Sequence, residues 1–201
     1  MHERGFTMVE VLVVMTISAI LLAMAIPSFE RLMRTNRVSS ATNSMLAAMD
    51  LARSEAVRRN GVVTVCRSAN ADAPNPACSS AAAGGYADND WASGWIVVAK
   101  APGNANNGAV EANDELILRQ TPFQAMSPQR LIVESTLPAN QQWRAYGPRG
   151  LNAGGAADVV FFIDVRDTAV PVRSDMARCL AAIMTGRPQV ARVVANACPA
   201  A

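Results

Sequence analysis

Histidine and lysine are nearly absent from this chain, in which His2 is the only histidine and Lys100 the only lysine. Because His2 precedes the long apolar segment, cleavage ahead of that segment would leave no imidazole for Ser-His-Asp or Cys-His catalysis or for metal ligation. Neither a Gly-x-x-x-x-Gly-Lys phosphate loop nor a Gly-x-Gly-x-x-Gly turn occurs. The sequence therefore predicts no cofactor, no metal site and no enzymatic activity.

Aromatic residues are also scarce, at 5%, although 51% of the 201 residues are hydrophobic. The apolar content is mostly Ala, Val, Leu, Ile and Met, which suffices for one core of ordinary size. A net charge of +2 is close to balance, so composition alone does not indicate a nucleic-acid or acidic partner.

The four cysteines, Cys66, Cys78, Cys179 and Cys198, include no Cys-x-x-Cys pair. An even number of cysteines behind a membrane anchor indicates disulfides in an oxidising compartment. Of the three pairings that four cysteines permit, we favour the sequence-local one, Cys66–Cys78 with Cys179–Cys198. Four free buried thiols are the alternative.

The N-terminal segment is long and apolar, with one charged residue, Glu10, among the 25 residues from Gly5 to Phe29. With its flanks it reaches the ~20 residues that a membrane helix needs. It differs from a secretory signal because the polar leader is short and no Ala-x-Ala site with a polar start follows. A carboxylate within a bilayer is costly unless it is paired or interfacial. Glu10 is therefore expected to meet a positive charge supplied by another molecule.

Apolar residues keep a helical spacing as far as Ala56, and Asn60-Gly61 supply a left-handed stop, so we predict one helix over 7–59. A loop over 68–90 and a turn over 102–113 separate strand-like runs. A helix followed by strands favours an α+β fold, with a long N-terminal hydrophobic α-helix packed against a C-terminal antiparallel β-sheet domain. The predicted strands cover 61–66, 95–99, 115–119, 131–135, 159–163, 179–183 and 189–194.

The segment Gly5-Phe-Thr-Met-Val-Glu10, followed by the apolar run, resembles the prepilin signature of type IV pilins and type II secretion pseudopilins. Later segments are similar to the H-type pseudopilins and the FimT/FimU-like minor pilins, so the resemblance covers nearly the whole chain. These segments are Asp50 to Gly61, Val63 to Cys66, Trp91 to Val98, Ile117 to Arg119, Arg178 to Leu180, Thr185 to Arg187, and Cys198.

The resemblance implies that prepilin peptidase cuts between Gly5 and Phe6 and that the new Phe6 amine is N-methylated. It also implies that Glu10 pairs with the Phe6 amine of a neighbouring subunit and that the helix bends near Pro27. The expected partners are other pilins or pseudopilins in a helical fibre, in a secretion pseudopilus or a type IV pilus.

The expected organisation is a leader over 1–5, a transmembrane and assembly helix over 6–29, an amphipathic continuation over 30–60 and a periplasmic β-rich domain over 61–201. The protein would cross the bacterial inner membrane once. Counting positive charges argues for the opposite orientation, because Arg4 precedes the anchor whereas Arg31, Arg34 and Arg37 follow it. The prepilin signature and the cysteines override that count.

Two other functions compete with a structural role. Some FimT-like proteins bind DNA through a Gly-Arg-x-Arg turn, and this chain matches it at Gly186 and Arg187 but has Gln189 in place of the second arginine, with Arg192 nearby. A membrane-anchored periplasmic enzyme would need a carboxylate pair, for which the sequence offers Asp164 with Asp167 and Asp114 with Glu115. Trp91 and Trp95 are expected to pack in the core rather than to form a binding platform.

Overall fold

A computed structural model describes residues 7–104, 106–123, 129–155, 158–167, 175–194 and 197–198, with the backbone alone at Pro27 and Asp167. Its contacts divide the chain into two compact units, Met1–Asn36 and Arg37–Ala201.

One helix and nine strands are described: α1 Met8–Arg59, β1 Val63–Arg67, β2 Trp95–Ala99, β3 Glu115–Gln120, β4 Gln129–Ser135, β5 Trp143–Tyr146, β6 Asn152–Gly155, β7 Val159–Asp167, β8 Arg178–Ala182 and β9 Pro188–Arg192, with a short 3-10 helix at Trp91–Ser93.

Helix α1 has 52 residues and ends where the sequence predicts. Asn60 adopts a left-handed φ of 49°. Its N–H donates to Val57 O (3.2 Å), and the Gly61 N–H reaches back to Ala56 O (3.1 Å). This pair of bonds is the Schellman motif, which satisfies the last helical carbonyls and turns the chain toward β1.

The strands form two antiparallel sheets rather than the single sheet expected from the sequence. The first has the order β3-β2-β1-β5-β6, and the second has the order β4-β7-β8-β9. Strands β5 and β6 were not predicted. In the first sheet Cys66 of β1 lies opposite both Ile96 of β2 and Trp143 of β5. The fold remains the predicted α+β class, with a long helix and antiparallel strands.

The second half of α1 buries one face in the core of the larger unit. Its buried residues recur every three or four positions, which places them on one side of the helix. Both sheets contribute to the same core, in which the Trp91 and Phe161 rings meet edge to face with centroids 4.9 Å apart. The buried residues of the helix are Val38, Ala41, Thr42, Met45, Ala48, Met49, Ala52 and Ala56.

The loop between β2 and β3 is held by a buried ion pair. Lys100 Nζ donates to Asp114 Oδ2 (2.6 Å) and to Ala109 O (2.9 Å). Asp114 also accepts from the Ala101 N–H and the Asn104 amide, at 2.9 and 2.7 Å. The two charged side chains are only 2% and 0% exposed. The only lysine of the chain is therefore a structural residue.

The Lys100–Asp114 pair predicts an acid-sensitive contribution to stability. Burial alone would raise the pKa of Asp114, but hydrogen bonds from Lys100 and from backbone N–H groups lower it from 3.8 to about 2. A lowered folded-state pKa stabilises the fold above the unfolded-state value, and that stabilisation is lost as the pH falls toward 2. We expect Asp114 to contribute about 2 kcal/mol at pH 6.

Urea unfolding of residues 37–201 between pH 6 and pH 2.5 tests this contribution. The difference in unfolding free energy between the native segment and Asp114→Asn should shrink steadily below pH 4. The native segment and Asp114→Asn are compared at each pH because both contain Asp90. Burial raises the pKa of Asp90, so its effect on the pH dependence of stability has the opposite sign and cancels in the comparison. A difference that does not change with pH would contradict the prediction.

Candidate functional site

The start of α1 carries a helix cap that includes Glu10. The Glu10 N–H donates to Thr7 Oγ1 (3.3 Å), and the Val11 N–H donates to Thr7 O (3.3 Å). Thr7 and Glu10 therefore stand at the N-cap and N3 positions, in the Thr-x-x-Glu sequence that is typical of a capping box. Gly5 and Phe6, the predicted processing residues, lie outside the described residues.

The first part of α1 presents an apolar surface. Every residue from 7 to 26 is exposed, and Glu10 is the only charged residue from 7 to 29. By length and composition alone, α1 qualifies as a candidate membrane span. So much exposed apolar surface favours burial in lipid or against other proteins. The helix runs through Pro27 without a break, so a bend there stays a prediction.

All four cysteines are bonded in the described structure, as Cys66–Cys78 and Cys179–Cys198. The first bond joins β1 to the loop over 68–90, and the second joins β8 to the end of the chain. Both bonds link residues near in sequence, at separations of 12 and 19. Bonds of this kind persist in oxidising compartments.

The two arginines considered for DNA contact lie at opposite ends of β9. Arg187 precedes the strand and Arg192 ends it, so about five residues of strand, or roughly 16 Å, separate their backbones. Both side chains are exposed. Arg192 lies opposite Arg178 of β8 rather than beside Arg187. The two predicted contacts therefore do not converge on one phosphate.

The turn that carries Arg187 instead meets a turn that carries a residue the sequence did not single out, Arg149. Gly186 has a φ of +78° and packs against the Gly150 carbonyl so closely that a Cβ would collide with it. Gly150, at a φ of +69°, accepts a hydrogen bond from Arg53 Nε (3.0 Å). Arg149 lies 38 residues before Arg187, so only the meeting of two turns could have revealed this residue.

The contact between the two glycines predicts a large cost for Gly186→Ala. A side chain at positive φ costs about 1 kcal/mol, and the collision with Gly150 O adds a further ~1–3 kcal/mol. Gly103→Ala is the matched control, because Gly103 also has a positive φ, +91°, but has nothing within 4 Å of its would-be Cβ. Urea unfolding should give Gly186→Ala a lower free energy of unfolding than Gly103→Ala. Equal losses in the two variants would show that the turns are free to separate.

Structural contacts hold the charged residues at the end of α1 and the Trp91 side chain. Arg59 bridges α1 to β3 through Glu115 (2.6 Å) and also pairs with Glu55 (2.7 Å). Hydrogen bonds from Arg58 and Arg59 lower the pKa of Glu55 to about 2. Trp91 is buried, and its Nε1 donates to Gln142 Oε1 (2.8 Å).

The carboxylates considered as catalytic pairs are also placed by the structure. Asp114 binds Lys100, whereas its neighbour Glu115 binds Arg59. Asp164 is buried and accepts from the Val165 N–H (2.8 Å), and the Asp167 side chain lies outside the described part of the chain. Among the described residues, no three His, Cys, Asp or Glu side chains gather as a metal site would require.

Two family models match this chain. The model of type II transport protein GspH matches residues 41–179, which is more than half of the chain. The model of the prokaryotic N-terminal methylation motif matches residues 1–26. The chain belongs to the GspH family. The predicted resemblance to H-type pseudopilins and FimT/FimU-like minor pilins is thereby confirmed, and this GspH-family protein is a minor pilin or pseudopilin subunit.

The fold of this GspH-family protein is similar to that of the type IV minor pilin FimU from Pseudomonas aeruginosa strain PAO1. FimU in space group P21 is 18% identical, with a TM-score of 0.51 over 78% of this chain and 89% of FimU. FimU in space group P65 is 17% identical, with a TM-score of 0.48 over 76% and 91%. At this identity the likeness concerns the fold alone. No curated protein sequence matches the chain.

The two family matches cover different parts of the chain. The methylation motif includes Gly5, Phe6 and Glu10 and ends at Ile26 within α1. The GspH match begins at Ala41, where α1 has started to bury its apolar face, and ends at Cys179 of β8. The junction of Gly150 and Gly186 therefore combines a turn inside the match with a turn beyond its end.

Proposed function

We propose that this GspH-family protein is made as a membrane precursor and then joins a helical fibre as a minor subunit. The fibre is a type II secretion pseudopilus or a type IV pilus. One observation carries the proposal: α1 exposes every residue from 7 to 26, and Glu10 is the only charge among them. Such a surface is suited first to lipid and then to the apolar helices of other subunits.

The proposed organisation assigns each part of the chain a step in this pathway. Residues 1–5 form the leader that prepilin peptidase removes, and Phe6 then carries the methylated amine. Residues 6–29 store the protein in the inner membrane, residues 30–60 continue the helix, and residues 61–201 form the periplasmic domain. Extraction from the membrane exposes about 37 Å of apolar helix, 25 residues at about 1.5 Å each, which neighbouring helices must then bury.

The orientation of the globular part rests on its cysteines. Two disulfides, Cys66–Cys78 and Cys179–Cys198, support a location in the oxidising periplasm. Arginines that follow the anchor, such as Arg31 and Arg34, favour the cytoplasm by the positive-inside rule. We give the disulfides more weight, because thiols are kept reduced in the cytosol.

A structural role is favoured over the two alternatives. DNA uptake has less support, because Arg187 and Arg192 stand at opposite ends of β9. We assign the protein no catalytic activity, because two of the four acids offered for catalysis are held by cations, Asp114 by Lys100 and Glu115 by Arg59.

Mass spectrometry of the mature N-terminus tests the proposal. We expect the chain isolated from membranes to begin at Phe6 and to carry one methyl group on its amine. Gly5→Ala should be processed normally because the residue stays small, whereas Gly5→Leu should accumulate as the precursor. An intact Met1 in the native chain, or normal processing of Gly5→Leu, would contradict the pathway.

A further inference from the structure

Three segments far apart in the sequence meet on one surface of the larger unit. They are the last turns of α1, the turn between β5 and β6, and the turn between β8 and β9. Val57 of α1 lies against Gly150, and Gly186 packs on the Gly150 carbonyl. The Asn152 N–H also donates to Met184 O (3.4 Å). We call the exposed side chains around this contact the junction patch: Val57, Leu151, Met184, Arg149 and Arg187.

The junction patch contains three large apolar side chains that face solvent. Val57 is 52% exposed, Leu151 45% and Met184 62%. Single exposed hydrophobic residues are ordinary on protein surfaces, but three from separate segments around one contact indicate an interaction site. The turns hold them in place, since Leu151 O accepts from the Gly147 N–H (3.0 Å) and Asp158 Oδ1 accepts from the Met184 N–H (2.9 Å).

The charges that flank these apolar side chains are Arg149, Arg187 and the Asp158 carboxylate that accepts from the Met184 N–H. Arg149 and Arg187 are exposed, and neither forms an ion pair with a residue that the structure describes. Two other arginines near the patch have partners of their own. Arg58 pairs with Glu55 (2.5 Å), and Arg53 Nε donates to Gly150 O (3.0 Å). The patch therefore offers apolar contacts bordered by two cations that have no ionic partner within the described structure.

We propose that the junction patch docks another subunit of the fibre through a protein segment whose apolar side chains are flanked by carboxylates. This rests on the proposed function, which supplies such neighbours. Arg149 and Arg187 would complement those carboxylates around an apolar centre, which is the arrangement found at specific protein interfaces. A nucleic-acid backbone would satisfy Arg149 and Arg187 but would leave Val57, Leu151 and Met184 without an apolar partner.

Photocrosslinking in cells that assemble the fibre tests the docking directly. A benzoylphenylalanine at Met184 of the full chain should crosslink to another fibre subunit at least tenfold more than one at Val194. Val194 is the matched control because it is 64% exposed but follows the far end of β9. Peptide mapping should place the crosslink on a segment with an Asp or Glu beside apolar residues. Equal crosslinking at the two positions, or crosslinks only to lipid or nucleic acid, would overturn the proposal.

Charge reversal is the second test of the docking proposal. Arg149→Glu combined with Arg187→Glu should lower incorporation into the fibre at least tenfold, and reversing the mapped carboxylate of the partner should restore it. Arg192→Glu is the control, because Arg192 is equally solvent-facing at the other end of β9, and it should stay within twofold of the native chain. Unchanged resistance of the membrane-stored double variant to protease establishes that it is folded.

Glu10→Ala separates the failure of this inference from failure of the proposed function. If Glu10→Ala stays out of the fibre but the arginine double variant enters normally, the junction patch does not dock a subunit and the proposed function stands. If the arginine variant instead loses a low-salt shift of duplex DNA and still enters the fibre, the patch binds nucleic acid and the docking proposal is overturned. Normal entry of Glu10→Ala itself would refute the role of the helix in assembly.

Discussion

Glu10→Ala is expected to insert in the membrane as well as the native chain but to enter the fibre at least ~100-fold less often. In the fibre, Glu10 is proposed to pair with the Phe6 amine of a neighbouring subunit, in surroundings made apolar by the helices. Removing one member of a buried ion pair costs about 3–5 kcal/mol, because the other charge stays buried without a partner. Each 1.4 kcal/mol corresponds to a factor of about ten in an equilibrium.

Quantitative immunoblotting of sheared fibres against membrane fractions measures this effect. Glu30→Ala is the matched control, because Glu30 is an exposed acid on the same helix and pairs with Arg34 at 3.4 Å. An exposed pair four residues apart contributes only about 0.3–0.5 kcal/mol, so this variant should assemble almost normally. If both variants assembled equally well, the pairing of Glu10 would be refuted.

The helix cap supplies a competing local role for Glu10 that the experiment must separate. Thr7 Oγ1 accepts the Glu10 N–H, and a Glu or Gln at this position completes a capping box. Glu10→Gln keeps that capping ability and removes the charge. We therefore expect Glu10→Gln to fail in assembly like Glu10→Ala, whereas a role limited to helix capping would leave it active.

The parts of the fold that depend on local chemistry followed from the sequence. The helix was expected over 7–59 and spans Met8–Arg59, because its apolar spacing and the Asn60-Gly61 stop are encoded within a few residues. The hairpin of β2 and β3 was also expected, since two β-rich runs flank a turn. Disulfide linkage between cysteines near in sequence agrees with the pairing favoured from their order.

The parts that depend on distant contacts were missed. Strands β5 and β6 are four residues each, and β6 is the sequence Asn152-Ala-Gly-Gly155, which has low strand propensity. β5 is a strand because it pairs with β1, with Cys66 opposite Trp143, and β6 is a strand because it pairs in turn with β5. The division into two sheets follows from such pairings rather than from any run of residues.

The same difference between local and distant contacts applies to the residues of the candidate site. Glu10 and the apolar helix were visible because the feature is a contiguous segment. Arg187 and Arg192 were grouped by their spacing in sequence, but a strand extends that spacing to roughly 16 Å. The meeting of the turns that carry Arg149 and Arg187 was hidden, because the contact between Gly150 and Gly186 joins residues far apart in the sequence. Sequence spacing locates neighbours on a helix well and across turns poorly.

Arg67 is a further residue that no sequence pattern marked. It ends β1, is fully buried, and has a pKa lowered by that burial. Its guanidinium satisfies backbone carbonyls of the loop over 68–90, so this arginine organises a segment that has no sheet strand of its own. Nε donates to Asp90 O (2.9 Å), Nη1 to Ser79 O (3.1 Å) and Ala81 O (2.9 Å), and Nη2 to Ala87 O (3.1 Å).

Arg67→Met is therefore expected to lower the free energy of unfolding of residues 37–201 by about 3–5 kcal/mol, since it leaves carbonyls without donors while keeping most of the side-chain volume. Arg119→Met is the control, because Arg119 is exposed and makes one hydrogen bond to this loop, to Ala73 O (3.1 Å). It should lose no more than about 0.5 kcal/mol.

Urea unfolding measures both Arg67→Met and Arg119→Met, and limited proteolysis of the folded Arg67→Met should cut first between Ser79 and Asp90. Arg67→Lys should also lose stability, because one ammonium group lacks the planar fork that reaches carbonyls on both sides of the loop. If Arg67→Met were as stable as the control, the Cys66–Cys78 bond would be sufficient to hold the loop. We expect the free energy of unfolding to be highest for Arg119→Met, lower for Arg67→Lys and lowest for Arg67→Met. That order would show that the disulfide fixes one point of the loop, while the guanidinium fixes the path of the chain from Ser79 to Asp90.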